Sequence, residues 1–314
     1  MGSEMCIRDR QHLAQLPTSG VWCAALTPLE ADLSIDHVRL IEYARFLLDN
    51  GCHGIGLFGT TGEANSFSVT ERMSALEVLL RDGLSPSTLM VGTGCCASTD
   101  TVSLTRHAID HGVKKILMLP PFYYKNASDH GLFRSYAHVI NGITQDDFEL
   151  YLYHFPAQSQ TPISAQLITQ LCEEFPGIIA GVKDSSSDLE HTLKIAAQFP
   201  KISIFPGNET HLFETLENGC AGCISGITNA NPQITRKIFD SCLGDELSAE
   251  TLREHAMAIR AAFGRHPLIA ALKQYAAWSS SDDAWLRLRP PLTPLDGNAA
   301  AALRADLLNL GMLR

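Results

Sequence analysis

The chain has 314 residues, of which 45% are hydrophobic and 18% charged, and a formal net charge of −10. So small a charged fraction excludes intrinsic disorder, and the acidic balance removes the positive field that nucleic acid or an anionic membrane would require. No apolar run approaches the ~18 residues of a membrane span.

Residues 1–10 (MGSEMCIRDR) lack the apolar stretch of a secretory signal, and residues 1–17 read as a leader outside the fold. From Gly20 the chain alternates. An apolar strand over 20–27 is followed by a helix over 37–50, capped by Ser34 or Asp36 and ended by Gly51. Strands at 53–58, 89–92, 115–119, 148–153, 178–183, 202–205 and 221–225 then alternate with helices at 70–80, 100–111, 128–141, 164–174, 188–198 and 210–217. Near-continuous apolar strands separated by helices imply a parallel sheet covered on its outer faces. Eight such units predict an α/β fold, a closed TIM (β/α)8 barrel over residues 18–243. Helices at 248–263, 267–278 and 298–310 form a C-terminal helical subdomain, 244–314, expected to pack on the barrel.

Three motifs are weaker than they look. Gly54, Gly56 and Gly59 match G-x-G-x-x-G, but they lie inside a strand rather than between a strand and a helix, which argues against a nucleotide site. Cys220 and Cys223 form a CxxC with no second pair to complete a zinc site, and read as small residues leading into a buried strand. His107 and His111 have a metal-ligand spacing, but their helix end lies at the N-terminal face of the barrel, so a solvated helix is the expected reading. Nine scattered cysteines, an odd number, point to reduced thiols and a cytoplasmic location.

Catalytic groups of such barrels sit at the C-terminal strand ends. There the sequence offers Gly59-Thr60-Thr61-Gly62-Glu63, Tyr153-His154-Phe155-Pro156, Lys183-Asp184 and Asn208-Glu209. Lys183 ends an apolar strand. A desolvated amine there can attack a ketone, although a rim ion pair with Asp184 is an equal reading of that residue alone. Tyr153 on the neighbouring strand can shuttle protons, and the hydroxyls and N–H groups after Gly59 suit a carboxylate. His154 is expected to turn outward, and Glu63 to act as a helix N-terminal charge partner.

The motifs GTTGE at 59–63, Y-x-x-P at 153–156, G-x-K-D at 181–184 and G-x-x-S-G at 222–226 occur in this order, with Arg289-Pro-Pro-Leu later. From about residue 18 onward the chain resembles the dihydrodipicolinate synthase / N-acetylneuraminate lyase superfamily of class I pyruvate aldolases. The resemblance implies that Lys183 forms a Schiff base with pyruvate, that Tyr153 transfers protons, that Thr60 relays them, and that Thr61 anchors the carboxylate. It implies that Ile224 lines the pyruvate pocket and that Tyr124, with Tyr123 as competitor, is lent across a dimer interface. It further implies a homotetramer built as a dimer of dimers, with neither metal nor organic cofactor.

Synthases of this superfamily usually carry an arginine soon after Y-x-x-P. Here Gln158 and Gln160 occupy that stretch, and Asn208 and Glu209 follow the seventh strand. Amides bind hydroxyls and cannot fork onto a carboxylate. The expected substrate is therefore a 2-keto-3-deoxy sugar acid or a sialic-acid-like 2-oxo acid. The alternatives are condensation of pyruvate with aspartate semialdehyde, a dehydratase, or a non-catalytic keto-acid-binding protein, against which the intact Lys183, Tyr153, Thr60 and Thr61 argue.

Overall fold

A computed structural model describes residues 11–145, 147–244 and 249–313. Eight strands form one parallel sheet: β1 (Gly20–Ala24), β2 (Gly54–Leu57), β3 (Leu89–Gly92), β4 (Lys115–Met118), β5 (Glu149–His154), β6 (Ile179–Asp184), β7 (Ser203–Pro206) and β8 (Gly222–Ser225). The sheet runs β7-β6-β5-β4-β3-β2-β1-β8. The Ala221 N–H donates to the Ile204 carbonyl at 2.8 Å and brings the two edges together as a barrel.

Helices α1 (His37–Asp49), α2 (Val69–Arg81), α3 (Ser98–Asp110), α4 (Asp129–Asn141), α5 (Ala165–Glu174), α6 (Leu189–Gln198) and α7 (Leu212–Glu217) each follow one strand. Their starts are chemically marked. Asp36 accepts from the Arg39 N–H at α1, while Ser34 binds Asp32 instead; Ser68 and Glu71 form a capping box at α2; Ser128, Ser164 and Asp188 cap α4, α5 and α6. An eighth helix, α8 (Pro232–Cys242), completes the last unit in a stretch the sequence pattern leaves unassigned.

The alternation of strand side chains makes two cores. Cys23, Ile55, Leu57, Val91, Ile116, Leu150 and Val182 pack outward under the helices. Trp22, Met90, Leu117, Tyr151, Phe205 and Ile224 fill the barrel. Gly54 makes room for Trp22: a Cβ there would lie 2.2 Å from the indole ring. The first glycine of G-x-G-x-x-G thus has a packing reason, and Cys220 and Cys223 are buried free thiols just before and within β8.

The barrel floor corrects the expected leader boundary at residue 17. Leu16 is buried against the inner core, Leu13 packs beside it, and His12 Nε2 lies 3.1 Å from the Gly219 carbonyl oxygen. Residues 1–10 lie outside the described residues.

The C-terminal helices α9 (Ala249–Gly264), α10 (Leu268–Ser280) and α11 (Gly297–Asn309) pack on the barrel through Ile259, Phe263, Leu272, Leu303 and Leu307. Lys273 of α10 is buried, donates to the Arg287 carbonyl at 2.7 Å, and sits 2.5 Å from the buried Glu63 carboxylate. Arg289 stacks over Phe67, donates to the Ser66 and Leu33 carbonyls at 2.8 Å, and pairs with Glu71. No described helix is long and apolar enough to cross a membrane.

Candidate active site

β5 and β6 pair with Tyr153 beside Lys183. Leu150 faces Ile179 but Tyr151 faces Gly181, so Ala180 is an additional residue in β6. Such a bulge re-aims the side chains beyond it. Gly181 has no space for a side chain, because a Cβ would lie 2.3 Å from the Ser203 carbonyl oxygen and 2.7 Å from the Tyr151 ring. Two residues on, Lys183 is 3% exposed and its Nζ lies 4.1 Å from the centre of the Tyr153 ring. The Tyr153 hydroxyl lies 3.2 Å from Thr60 Oγ1. The amine thus lies over the face of a phenol whose own hydroxyl meets the threonine hydroxyl.

Thr60 stands on a tight turn. Phe58 and Glu63 on either side adopt φ of 54° and 56°, left-handed conformations that cost non-glycine residues of order 1–3 kcal/mol each. The turn is held by Thr27 Oγ1 donating to the Gly62 carbonyl at 2.8 Å and by the Glu63 carboxylate, which accepts from the Arg289 N–H at 3.1 Å besides pairing with Lys273. Glu63 is thus the anchor of the turn to α10 rather than a partner of a helix N-terminus.

The rim ion pair between Lys183 and Asp184 is absent. Asp184 points to the helix side, where it accepts from the Ser186 N–H at 2.9 Å and from Thr192 Oγ1 and His191 Nδ1 at 2.8 Å. Burial alone would raise its pKa, but the bonds from His191, Ser186 and Thr192 outweigh burial and hold the carboxyl at about 2. His154 turns outward as expected, with a different partner from a loop carbonyl. Its Nδ1 accepts from the Ile163 N–H at 3.0 Å, and its ring stacks on His191. His154, Asp184 and His191 bring three potential ligand atoms within 4.8 Å, but the bonds just given already occupy the Asp184 oxygens.

Asp184 gives a pH expectation. Its pKa is lowered from 3.8 to about 2, so the stability it contributes is complete above pH ~4 and is lost as pH falls towards 2. The shift corresponds to about 2 kcal/mol. His191, raised by the same bond, contributes below its unfolded pKa and loses that share as pH rises through its folded value. Urea unfolding of the parent and of Asp184→Asn between pH 6 and 2 should give a stability gap that narrows as the solution is acidified. A gap independent of pH would contradict this.

A cavity of about 450 Å³ opens above Lys183. Thr60, Thr61, Tyr153 and Ile224 line its depth together with Lys183. Gln158, Ser185, Ser187 and Arg260 supply its polar rim, and Phe155, Pro267, Leu268 and Leu292 an apolar wall. Six of the ten residues read from the sequence thus meet in one cavity: Lys183, Tyr153, Thr60, Thr61, Ile224 and Gln158. Four do not. Gly59 shapes the turn, its carbonyl accepting from the Ala64 N–H at 3.3 Å. Asn208 caps the following 3-10 turn by accepting from the Thr210 N–H. Glu209 is fully buried, accepts from Ser225 Oγ at 2.5 Å and pairs with Arg260 at 2.9 Å. Tyr124, like Tyr123, is exposed on the loop after β4, outside the cavity of its own chain.

Arg260 brings a guanidinium to the mouth although the stretch after Tyr153 carries none. It comes from α9, not from the stretch after Tyr153, so its position in the mouth depends on the docking of the C-terminal helices. Ser185 and Ser187 were missed, although their place just after the Lys183 strand end could have found them, whereas Arg260 had no local signal.

A family model for the dihydrodipicolinate synthetase family matches residues 17–310. The chain belongs to this family. It is 37% identical over 290 residues to an uncharacterized DapA-like lyase of Chloroflexus aurantiacus, covering 91% of this chain and 95% of the relative. It is 28% identical to a 4-hydroxy-tetrahydrodipicolinate synthase of Thermus thermophilus, covering 89% and 92%. The crystal structure of dihydrodipicolinate synthase from Agrobacterium tumefaciens superposes with a TM-score of 0.86 at 28% identity, covering 93% of this chain and 99% of that one. The protein is a lyase of the aldolase type found in this family.

Proposed function

We propose that this family member is a Schiff-base aldolase joining pyruvate to, or releasing it from, an aldehyde, with a 2-keto-3-deoxy sugar acid or a sialic-acid-like 2-oxo acid as its substrate. The observation that carries the reading is the buried Lys183 amine, free of a carboxylate partner among the described residues, against a tyrosine whose hydroxyl meets Thr60. Lys183 Nζ adds to C2 of the keto acid, and loss of water from the carbinolamine leaves an iminium. Tyr153 carries the protons of both steps, with Thr60 as relay. The iminium accepts the electron pair of the C3–C4 bond as it breaks while Tyr153 takes the proton of the C4 hydroxyl, giving an enamine and an aldehyde; protonation of the enamine at C3 and hydrolysis of the iminium by water release pyruvate and free Lys183, and the reverse forms the bond. Thr61 and the turn's backbone N–H groups receive the carboxylate. This chemistry is complete without a metal or organic cofactor.

Tyr124 of a second copy completes the relay in this proposal, in a homotetramer built as a dimer of dimers. Its support is the exposure of the Tyr123–Tyr124 loop, 72% and 79%, with neither ring used by its own cavity. The free thiols of the described cysteines fit a cytoplasmic location.

The substrate preference rests on Gln158, Ser185 and Ser187, three neutral groups that suit hydroxyls. Arg260 favours a second reading, condensation with aspartate semialdehyde, because a guanidinium suits a distal carboxylate. Its charge is partly met by Glu209, which ranks this reading second. The test is borohydride reduction in the presence of pyruvate with peptide mass spectrometry, followed by competition between sugar-derived aldehydes and aspartate semialdehyde. A pyruvyl adduct on Lys183 and preference for the hydroxylated aldehyde are expected. No adduct on folded protein would overturn the imine mechanism, and preference for the semialdehyde would overturn the substrate.

A further inference from the structure

We propose that Glu77, His107 and His111 form a binding site for a divalent transition-metal ion of the zinc class on the outer wall of the barrel. The histidine pair alone was a spacing on one helix. The fold adds a third donor from another helix: Glu77 of α2 faces the C-terminal turn of α3, and the three side chains bring one ligand atom each within 4.8 Å of one another.

The local chemistry prepares these atoms. His111 Nδ1 lies 2.8 Å from the His107 carbonyl oxygen. A carbonyl only accepts, so Nδ1 carries the hydrogen and Nε2 presents a bare lone pair. Metal-bound imidazoles are commonly fixed by such a second bond. His107 Nε2 lies 2.9 Å from Glu77 Oε1. Adjacent donors around one tetrahedral ion at bond lengths of ~2.1 Å stand about 3.4 Å apart, so a shift of roughly half an ångström lets an ion take the place of the proton between them. The ring then carries its single proton on Nδ1. The two imidazoles lie 4.3 Å apart at 39°, and the exposed His111 ring leaves room for an ion at its Nε2 while the Nδ1 bond is kept. The second oxygen of Glu77 lies 4.0 Å from Arg81, an exposed pair that competes weakly.

Two imidazoles and one carboxylate, with the remaining positions open to water, suit zinc, nickel or copper rather than magnesium or calcium. The site is remote from Lys183, since the C-terminal ends of barrel helices lie at the opposite face from the C-terminal strand ends. Its effect is therefore a clip between α2 and α3 rather than part of the reaction, and the inference stands whether or not the proposed substrate is right.

The test uses chelator-treated full-length protein. Zinc binding is followed by calorimetry and cobalt binding by absorption, for the parent, His111→Ala and Glu77→Gln, with circular dichroism to check folding. One equivalent per chain is expected in the micromolar range, with affinity at least ~10-fold weaker in each variant and cobalt bands of nitrogen and oxygen ligation. Zinc should raise the thermal midpoint of the parent more than that of either variant. Unchanged affinity in the variants, a cobalt–thiolate charge-transfer band as the sole signal, or no binding by the parent at ~100-fold excess of zinc would each overturn the site.

Discussion

Replacing Lys183 by arginine is expected to abolish the trappable pyruvate adduct and to lower turnover by about 10³-fold or more. Arginine keeps the positive charge against the Tyr153 ring and nearly the same length, so the barrel interior should remain filled. It cannot release a proton to become a nucleophile. Loss of activity with an unchanged urea midpoint would therefore isolate the amine as the reacting group. Replacing Tyr153 by phenylalanine should act differently. The adduct should still form, but slowly, with turnover reduced by roughly 10²–10⁴-fold. An arginine variant that retained the parent rate would remove Lys183 from the chemistry and end the imine reading.

Changing Lys273 to methionine should have the largest effect on stability. Lys273 and Glu63 are 1% and 0% exposed in their side chains, and burial already pushes the Lys273 pKa down. Removing only one member leaves a carboxylate in the interior with the Arg289 N–H as its remaining hydrogen-bond donor among the described contacts. Breaking such a pair costs about 3–5 kcal/mol. The double change of Lys273 to methionine and Glu63 to glutamine removes both charges and should recover part of this loss. Urea unfolding of both single variants and the double variant measures the coupling. Additive effects would show that the two side chains do not interact. Because Glu63 ends the Thr60–Thr61 turn, the lysine variant should also trap pyruvate more slowly than its reduced folded fraction explains.

Much of the barrel was legible because its code is local. Strands such as 89–92 and 178–183 are short apolar runs between cappers, and serine or aspartate stands before α2, α4, α5 and α6. Lys183 was legible for the same reason, as a charge ending an apolar strand. What escaped depends on distance along the chain. The partnership of Arg260 with Glu209, and of Lys273 with Glu63, joins α9 and α10 to strand-end loops, and no spacing rule connects them. The strand-end rule explains why Asn208 and Glu209 were expected in the cavity. It locates the backbone but cannot say which side chains a cap or a buried ion pair has already engaged. The bulge at Ala180 was likewise invisible, since it exists only in the register between β5 and β6.

The bond between Glu63 and Lys273 also sets an order in time. The two residues lie 210 positions apart, as their numbers give. At ~5–20 residues per second, a ribosome needs on the order of 10–40 s to travel from one to the other. During that interval Lys183 has been made, but the turn carrying Thr60 and Thr61 still lacks its counter-ion and the Arg260 wall of the cavity is incomplete. The lysine proposed to form the imine is thus present in the nascent chain before the groups around it are fixed. The C-terminal helices act as the later fastening, and the proposed site reaches the geometry described above only once they have been made.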